Sequence, residues 1–155
     1  MTNVHTCLWF NGQGRQAAEL YTSLVPGSSI TGGTPNPGDP AGEPLVVEFT
    51  LGGQKYQALN GGPDFTLNEA ASIVLTCPTQ EEADRYWDAL TADGGEESMC
   101  GWLKDRFGLS WQILPQPALD LFADPDPEVV AKAMQAMFTM RRLDSDEMAR
   151  AAGKA

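Results

Sequence analysis

One histidine and three cysteines leave this 155-residue chain little with which to build a metal centre. Cys7, Cys77 and Cys100 are odd in number and far apart, with no C-x-x-C pair; that excludes a disulfide framework or a zinc cluster and reads as reduced thiols. Cationic side chains are scarce as well. Ten Lys and Arg against 21 Asp and Glu give a net charge of −11, which repels phosphate backbones and anionic membrane surfaces. No apolar run approaches the roughly 18 to 20 residues that a membrane helix needs, and the opening MTNVHTCLWFNGQG has no basic region before an apolar stretch. The expected setting is therefore the cytosol, with neither nucleic acid nor membrane as partner. The acidic balance would favour a cationic ligand, although a solvated acidic surface is the commoner reason for such a balance.

What the chain does have is a repeat. VHTCLWF at 4–10, stopped by Asn11 and Gly12, and SIVLTC at 72–77, stopped by Pro78, read as strands. A helix follows each. Ala17, Leu20, Tyr21 and Leu24 fall at i, i+3, i+4 and i+7 before Pro26 and Gly27; Ala83, Tyr86, Trp87 and Leu90 repeat the spacing after Thr79, a candidate N-cap, and before Gly94 and Gly95. Strand material comes next in both halves: SSIT, EPLVVEFTLGG and QKYQALN in the first, GWLKDRFG and LSWQILP in the second. Glycines at 52, 53 and 108 mark the hairpin turns, and Gln57 and Gln112 occupy equivalent places in the strands that follow them.

The pattern predicts an α+β chain of two βαβββ modules, module one over about 3–62 and module two over about 71–116, joined by a linker at about 63–70. Asn60-Gly61-Gly62-Pro63 reads as turn chemistry, since its glycines lead into no helix with a phosphate-binding lysine. The Pro- and Gly-rich stretch 32–44 reads as a mobile loop able to cover a ligand. Beyond it all, a tail over about 117–155 carries one strong helix: Asp126 caps, Pro127 opens, and EVVAKAMQAMFTMRRL ends on Arg141 and Arg142. Val130, Met134, Met137 and Arg141 are its expected packing stripe, widened by Ala133 and Phe138, against the sheet or a second subunit, and the last ten residues read as frayed.

The strings ALNGGP, DRYWDAL, GWLKDRFGLSWQ and DPDPEVVAKAMQAMFTM, in this order on two βαβββ modules, resemble the PhnB-like family, often labelled as a demethylubiquinone methyltransferase domain, of the vicinal oxygen chelate superfamily. That superfamily also holds glyoxalases, extradiol dioxygenases and bleomycin resistance proteins. The resemblance covers about residues 3–143 and implies a single glyoxalase-like domain over 1–155: two cupped half-barrels over a cleft, a C-terminal helix, and a homodimer as the expected assembly. It also implies where a metal would be held in metal-dependent members. The matching positions here are His5, Gln57, Ser72 and Gln112, with Glu48 as a substitute carboxylate. One imidazole, two neutral amides and a hydroxyl offer no charge to offset a divalent ion, so no metal and no other cofactor is expected.

His5 is the one side chain with an ordinary pKa near neutrality, and it is either the catalytic residue of the cleft or a strand residue that bonds a neighbour. Gln57 and Gln112 must find hydrogen-bond partners if buried, either on a ligand or on each other and the backbone. With Ser72 they are candidate ligand-binding residues. Trp9 and Trp102 are the candidate aromatic walls of a small-molecule cleft, while Cys100 reads as inert for want of a basic neighbour other than Lys104. Three functions follow. The first is metal-independent binding of a small molecule, and the second a superfamily enzyme acting through His5. Methyl transfer ranks last, because no glycine-rich strand-to-helix turn with a following acidic residue is present.

Overall fold

The computed structural model describes residues 1–154. Two compact units meet in the linker, the first over 1–67 and the second over 68–155. The first runs β1 (Thr6–Phe10), α1 (Gly14–Leu24), β2 (Ser29–Thr34), β3 (Val46–Leu51) and β4 (Gln54–Asn60), with sheet order β1-β4-β3-β2. The second repeats it: β5 (Ser72–Cys77), α2 (Gln80–Thr91), β6 (Glu96–Glu97), β7 (Trp102–Lys104) and β8 (Ser110–Pro115), in the order β5-β8-β7-β6. In each unit the first strand lies parallel to the last, and the other pairings are antiparallel. This is the α+β arrangement of two βαβββ modules.

Strand alternation sorts the side chains of each sheet. In the first unit Leu8, Phe10, Val47, Phe49, Leu51 and Ala58 are buried on one face, where Ala17, Ala18 and Tyr21 of α1 are also buried. In the second, Leu103, Trp111, Ile113 and Cys77 are buried, as are Ala83, Tyr86, Trp87 and Leu90 of α2. The α2 stripe is the expected one. Thr79 caps that helix by accepting from the Glu82 amide at 3.2 Å. In α1 the stripe is shifted, with Ala18 and Gly14 buried while Leu20 and Leu24 are half-buried.

The β7–β8 turn is held by a buried carboxylate. Asp105 Oδ1 accepts from the Phe107 and Leu109 amides at 2.8 and 3.1 Å, and Oδ2 accepts from Trp111 Nε1 at 2.8 Å. A comparable latch closes the first unit. Asn60 Oδ1 accepts from the Gly14 amide and its Nδ2 donates to the Pro44 carbonyl, both at 2.8 Å, which ties the start of α1 to the end of β4. Gly61 lies flat against the Trp9 indole, where any Cβ would collide with the ring.

The tail differs most from expectation. It forms three helices, α3 (Gln116–Phe122), α4 (Pro127–Met137) and α5 (Ser145–Ala151), rather than one long helix and a frayed end. They share a core of Ala118, Leu121, Val129, Ala133, Met140, Leu143, Met148 and Ala152. The buried side of α4 is Val129 and Ala133, with Met137 half-buried against the same core, so Ala133 and Met137 of the expected face pack inward while Met134 is 41 % and Phe138 63 % exposed. Arg141 lies beyond the helix, near Glu97 at 3.8 Å. Asp144 caps α5 by accepting from the Glu147 amide. Gln80 of α2 holds this tail to the second unit, donating to the Leu143 carbonyl at 2.7 Å and accepting from the amide and hydroxyl of Ser145. The Cys100 and Gly101 amides donate to the Met140 and Arg141 carbonyls, both at 2.8 Å.

The stretch 32–44 is partly regular. β2 continues through Gly33 to Thr34, and a tight turn bridges Asn36 and Asp39. No helix among the described residues is long and apolar enough to cross a membrane.

Candidate functional site

The face of each sheet turned away from the buried helix carries the polar candidates. In the first unit one row runs across it from Cys7 through Gln57 and Glu48 to Gly32, as the strand register dictates. His5, just before β1, reaches Gln57, with Nε2 3.0 Å from Oε1. An amide oxygen only accepts, so Nε2 is the donor of this bond in the tautomer that protonates it. Glu48 Oε2 reaches towards β2, where Gly32 has no side chain to obstruct it.

His5 and Glu48 line a cavity of about 400 Å³ with Thr50, Lys55 and Tyr56. Phe49 and Tyr56, which alternate to the helix side of the sheet, border it as well; their rings stack with centroids 5.4 Å apart, and burial pushes the Tyr56 hydroxyl above its ordinary pKa. The space suits a small molecule, with one imidazole, one carboxylate and one ammonium at its edge.

In the second unit Gln112 Nε2 donates to Ser72 Oγ at 2.9 Å. Trp102 pairs with Gln112 in the register and faces the same side. It lines a separate cavity with Lys104, Glu96 and Ser110. Lys104 Nζ lies 2.6 Å from Glu69, and this hydrogen-bonded pair raises the lysine pKa and lowers that of the carboxylate.

Sequence candidates thus fall into two hydrogen-bonded pairs, each on its own sheet: His5 with Gln57 and Ser72 with Gln112. The two glutamines are satisfied by those side chains rather than by each other. Trp9 is spent differently. Its Nε1 donates to the Gly62 carbonyl at 2.9 Å and its ring meets Phe65 edge-on at 4.8 Å, so the indole pins the NGGP turn. Cys100 is half-buried with φ at 59°, in a turn fixed by the Met140 carbonyl. Sequence reasoning missed Asp105, Lys55 and Ser110. Only Asp105 left a signal, an acidic residue opening the DRFG turn.

As a divalent-metal site, His5, Gln57, Ser72 and Gln112 do not fit. The donors are one imidazole and three neutral oxygen groups, with Glu48 beside Gln57 in the register as the one carboxylate, and His5 and Gln57 turn their polar atoms towards one another. Among the described residues no three His, Cys, Asp or Glu come together to hold an ion.

Comparison with known proteins agrees with the topology. The family model described as 3-demethylubiquinone-9 3-methyltransferase matches residues 2–114. The solved structure of a putative 3-demethylubiquinone-9 3-methyltransferase, a PhnB protein from Bacillus cereus, is 31 % identical, with 74 % of this chain and 99 % of that one covered and a TM-score of 0.66. A protein from Pseudomonas aeruginosa is 23 % identical over 74 % of this chain and 98 % of its own, with a TM-score of 0.61. The fosfomycin resistance protein FosX from Listeria monocytogenes, solved with Mn(II) and sulfate, shares the fold at 15 % identity, 71 % and 88 % coverage and a TM-score of 0.51. No curated protein matches.

Proposed function

The chain belongs to the PhnB-like family described as 3-demethylubiquinone-9 3-methyltransferase, within the vicinal oxygen chelate superfamily, and from that membership we propose that it binds a small molecule on the open face of its sheets without a tightly held metal. One observation carries the proposal: the positions that would hold a metal in this superfamily are here closed into hydrogen-bonded pairs, 3.0 Å for His5 with Gln57 and 2.9 Å for Ser72 with Gln112. Amides and hydroxyls in such pairs can exchange a partner for a polar ligand at little net cost, since one hydrogen bond replaces another. Trp102 supplies an aromatic wall on its sheet, and the cavity beside His5 supplies room.

A second reading rests on the His5 tautomer that protonates Nε2. With Nε2 occupied by Gln57, Nδ1 of His5 is the available base beside that cavity, which suits proton abstraction from a small oxygenated substrate. Methyl transfer comes last. The strand-to-helix turn after β1, Gly12-Gln13-Gly14, has its first helix amide taken by Asn60, and no acidic residue stands between Glu19 and Asp39 to follow it at the spacing a dinucleotide-type site uses.

Self-association belongs to the proposal too. Met134 and Phe138 leave an apolar strip on α4 that a homodimer would cover; sedimentation as a monomer would remove this part. The binding reading is tested by a thermal-shift ligand screen followed by His5→Ala and Trp102→Ala. Loss of affinity in the tryptophan variant, with a smaller change in the histidine variant, supports binding. Loss of a catalysed reaction in the histidine variant, with affinity retained, supports the enzyme.

A further inference from the structure

Ser110 is 1 % exposed, and its hydroxyl has no hydrogen-bond partner. A buried hydroxyl without a partner is costly, and native structures seldom keep one unless a bound water or ligand satisfies it. Strand alternation puts this side chain on the open face, opposite Lys104 in the register, and both residues line the cavity of about 130 Å³ at the β6–β7 edge.

The rest of that lining is acidic and aromatic. Glu69 is neutralised by Lys104, and Glu97 accepts from Trp87 Nε1 at 2.8 Å with Arg141 at 3.8 Å. Glu96, opposite Lys104 in the register, forms no salt bridge among the described residues, although its charge also acts on that lysine. Trp102 offers an aromatic surface and Ser98 a further polar group. At a water's share of about 30 Å³, the space holds roughly four waters, or one ammonium or guanidinium head group.

We propose that this cavity is a binding site for the head group of an organic amine or guanidine, which donates to Ser110 Oγ and Glu96 and lies against Trp102. The inference rests on the small-molecule reading above and gives it a ligand class. Each component has a chemical reason. An N–H donor satisfies the orphan hydroxyl, a carboxylate supplies a charge-assisted bond, and the indole attracts a cation through its ring quadrupole. A metal ion suits the cavity less well, because no triad of metal-ligating side chains is formed among the described residues.

The test is titration of the nitrogen-15-labelled protein with agmatine, which carries both kinds of head group, with n-pentanol as the uncharged control. The expected result is saturable shifts of the Trp102 indole and Ser110 amide signals with agmatine and none with pentanol. Ser110→Ala removes an unsatisfied buried hydroxyl, so that variant should fold at least as well as the parent. Both Ser110→Ala and Glu96→Gln should weaken agmatine by about tenfold or more. Unchanged affinity in both variants, or no shift at Trp102 up to millimolar agmatine, overturns the proposal. Shifts at His5 and Gln57 instead overturn the placement while leaving the small-molecule reading intact. Manganese(II) broadening these signals where agmatine has no effect overturns the ligand class. The broader reading fails separately, if no compound in a ligand screen perturbs either open face.

Discussion

Replacing Asp105 by Asn keeps size and shape but inverts one hydrogen bond. In the parent, one carboxylate oxygen takes two backbone amides and the other takes the Trp111 indole, at 2.8, 3.1 and 2.8 Å. Asn can keep the two amides on its single oxygen, which turns its NH₂ towards the indole N–H. Trp111 is 1 % exposed, so its donor would find no water. Losing a bond to a charged acceptor and leaving a buried donor unpaired costs about 1.5–3 kcal/mol, and Asp105→Ala, which strands all three donors, about 3–5 kcal/mol. Urea unfolding followed by tryptophan fluorescence measures both. The decisive comparison is a double-mutant cycle with Trp111→Phe. Removing the indole N–H should make Asp105→Asn cheaper by about 1–2 kcal/mol, since no donor is left to strand. Equal costs of Asp105→Asn in the two backgrounds would refute the claim that the indole bond organises the β7–β8 hairpin, and with it the placement of Trp102 and Ser110.

Two further outcomes test other parts of the structure. Gly61→Ala drives a methyl group into the Trp9 ring, so it should cost about 1–3 kcal/mol as an overpacked contact and red-shift the Trp9 emission as the indole leaves Gly62 and Phe65; an unchanged spectrum would refute the latch. Burial, helped by the Glu82 carboxylate, raises the Cys77 thiol from 9.0 to about 11. Its contribution to stability is complete below the ordinary thiol pKa and is lost as pH rises from about 9 through 11, a fall of roughly 2–3 kcal/mol. At pH 8, iodoacetamide should modify exposed Cys7 well before Cys77, as peptide mapping would show.

Module order was legible because each βαβββ half writes its own periodicity. Tyr86, Trp87 and Leu90 could form only one helix face, and the hairpin glycines marked the strand pairs. The tail was harder to read. On α4 the apolar residues run almost all round, so periodicity alone could not choose between Val129 with Ala133 and Val130 with Met134; the choice belongs to α3 and α5, which pack there. A signal for α5 was present in Asp144 and Glu147, spaced as a capping box, but the following residues are too few and too polar to announce a helix. The site divides along the same line. Strand position put Gln57 and Gln112 on open faces, yet their partners depend on side-chain conformation. Trp9 looked like a cleft wall because the sequence cannot reveal that its N–H is spent on the turn after β4, its neighbour in the sheet but 53 residues away in sequence.

Metal content per chain, measured on protein purified without chelator or affinity-tag metal and then offered zinc, nickel, manganese and iron(II), tests the central claim most directly. The pairing of His5 with Gln57 and of Ser72 with Gln112 predicts no stoichiometric ion retained after desalting. About one ion per chain, lost on His5→Ala, would contradict it and make the enzyme reading the leading one.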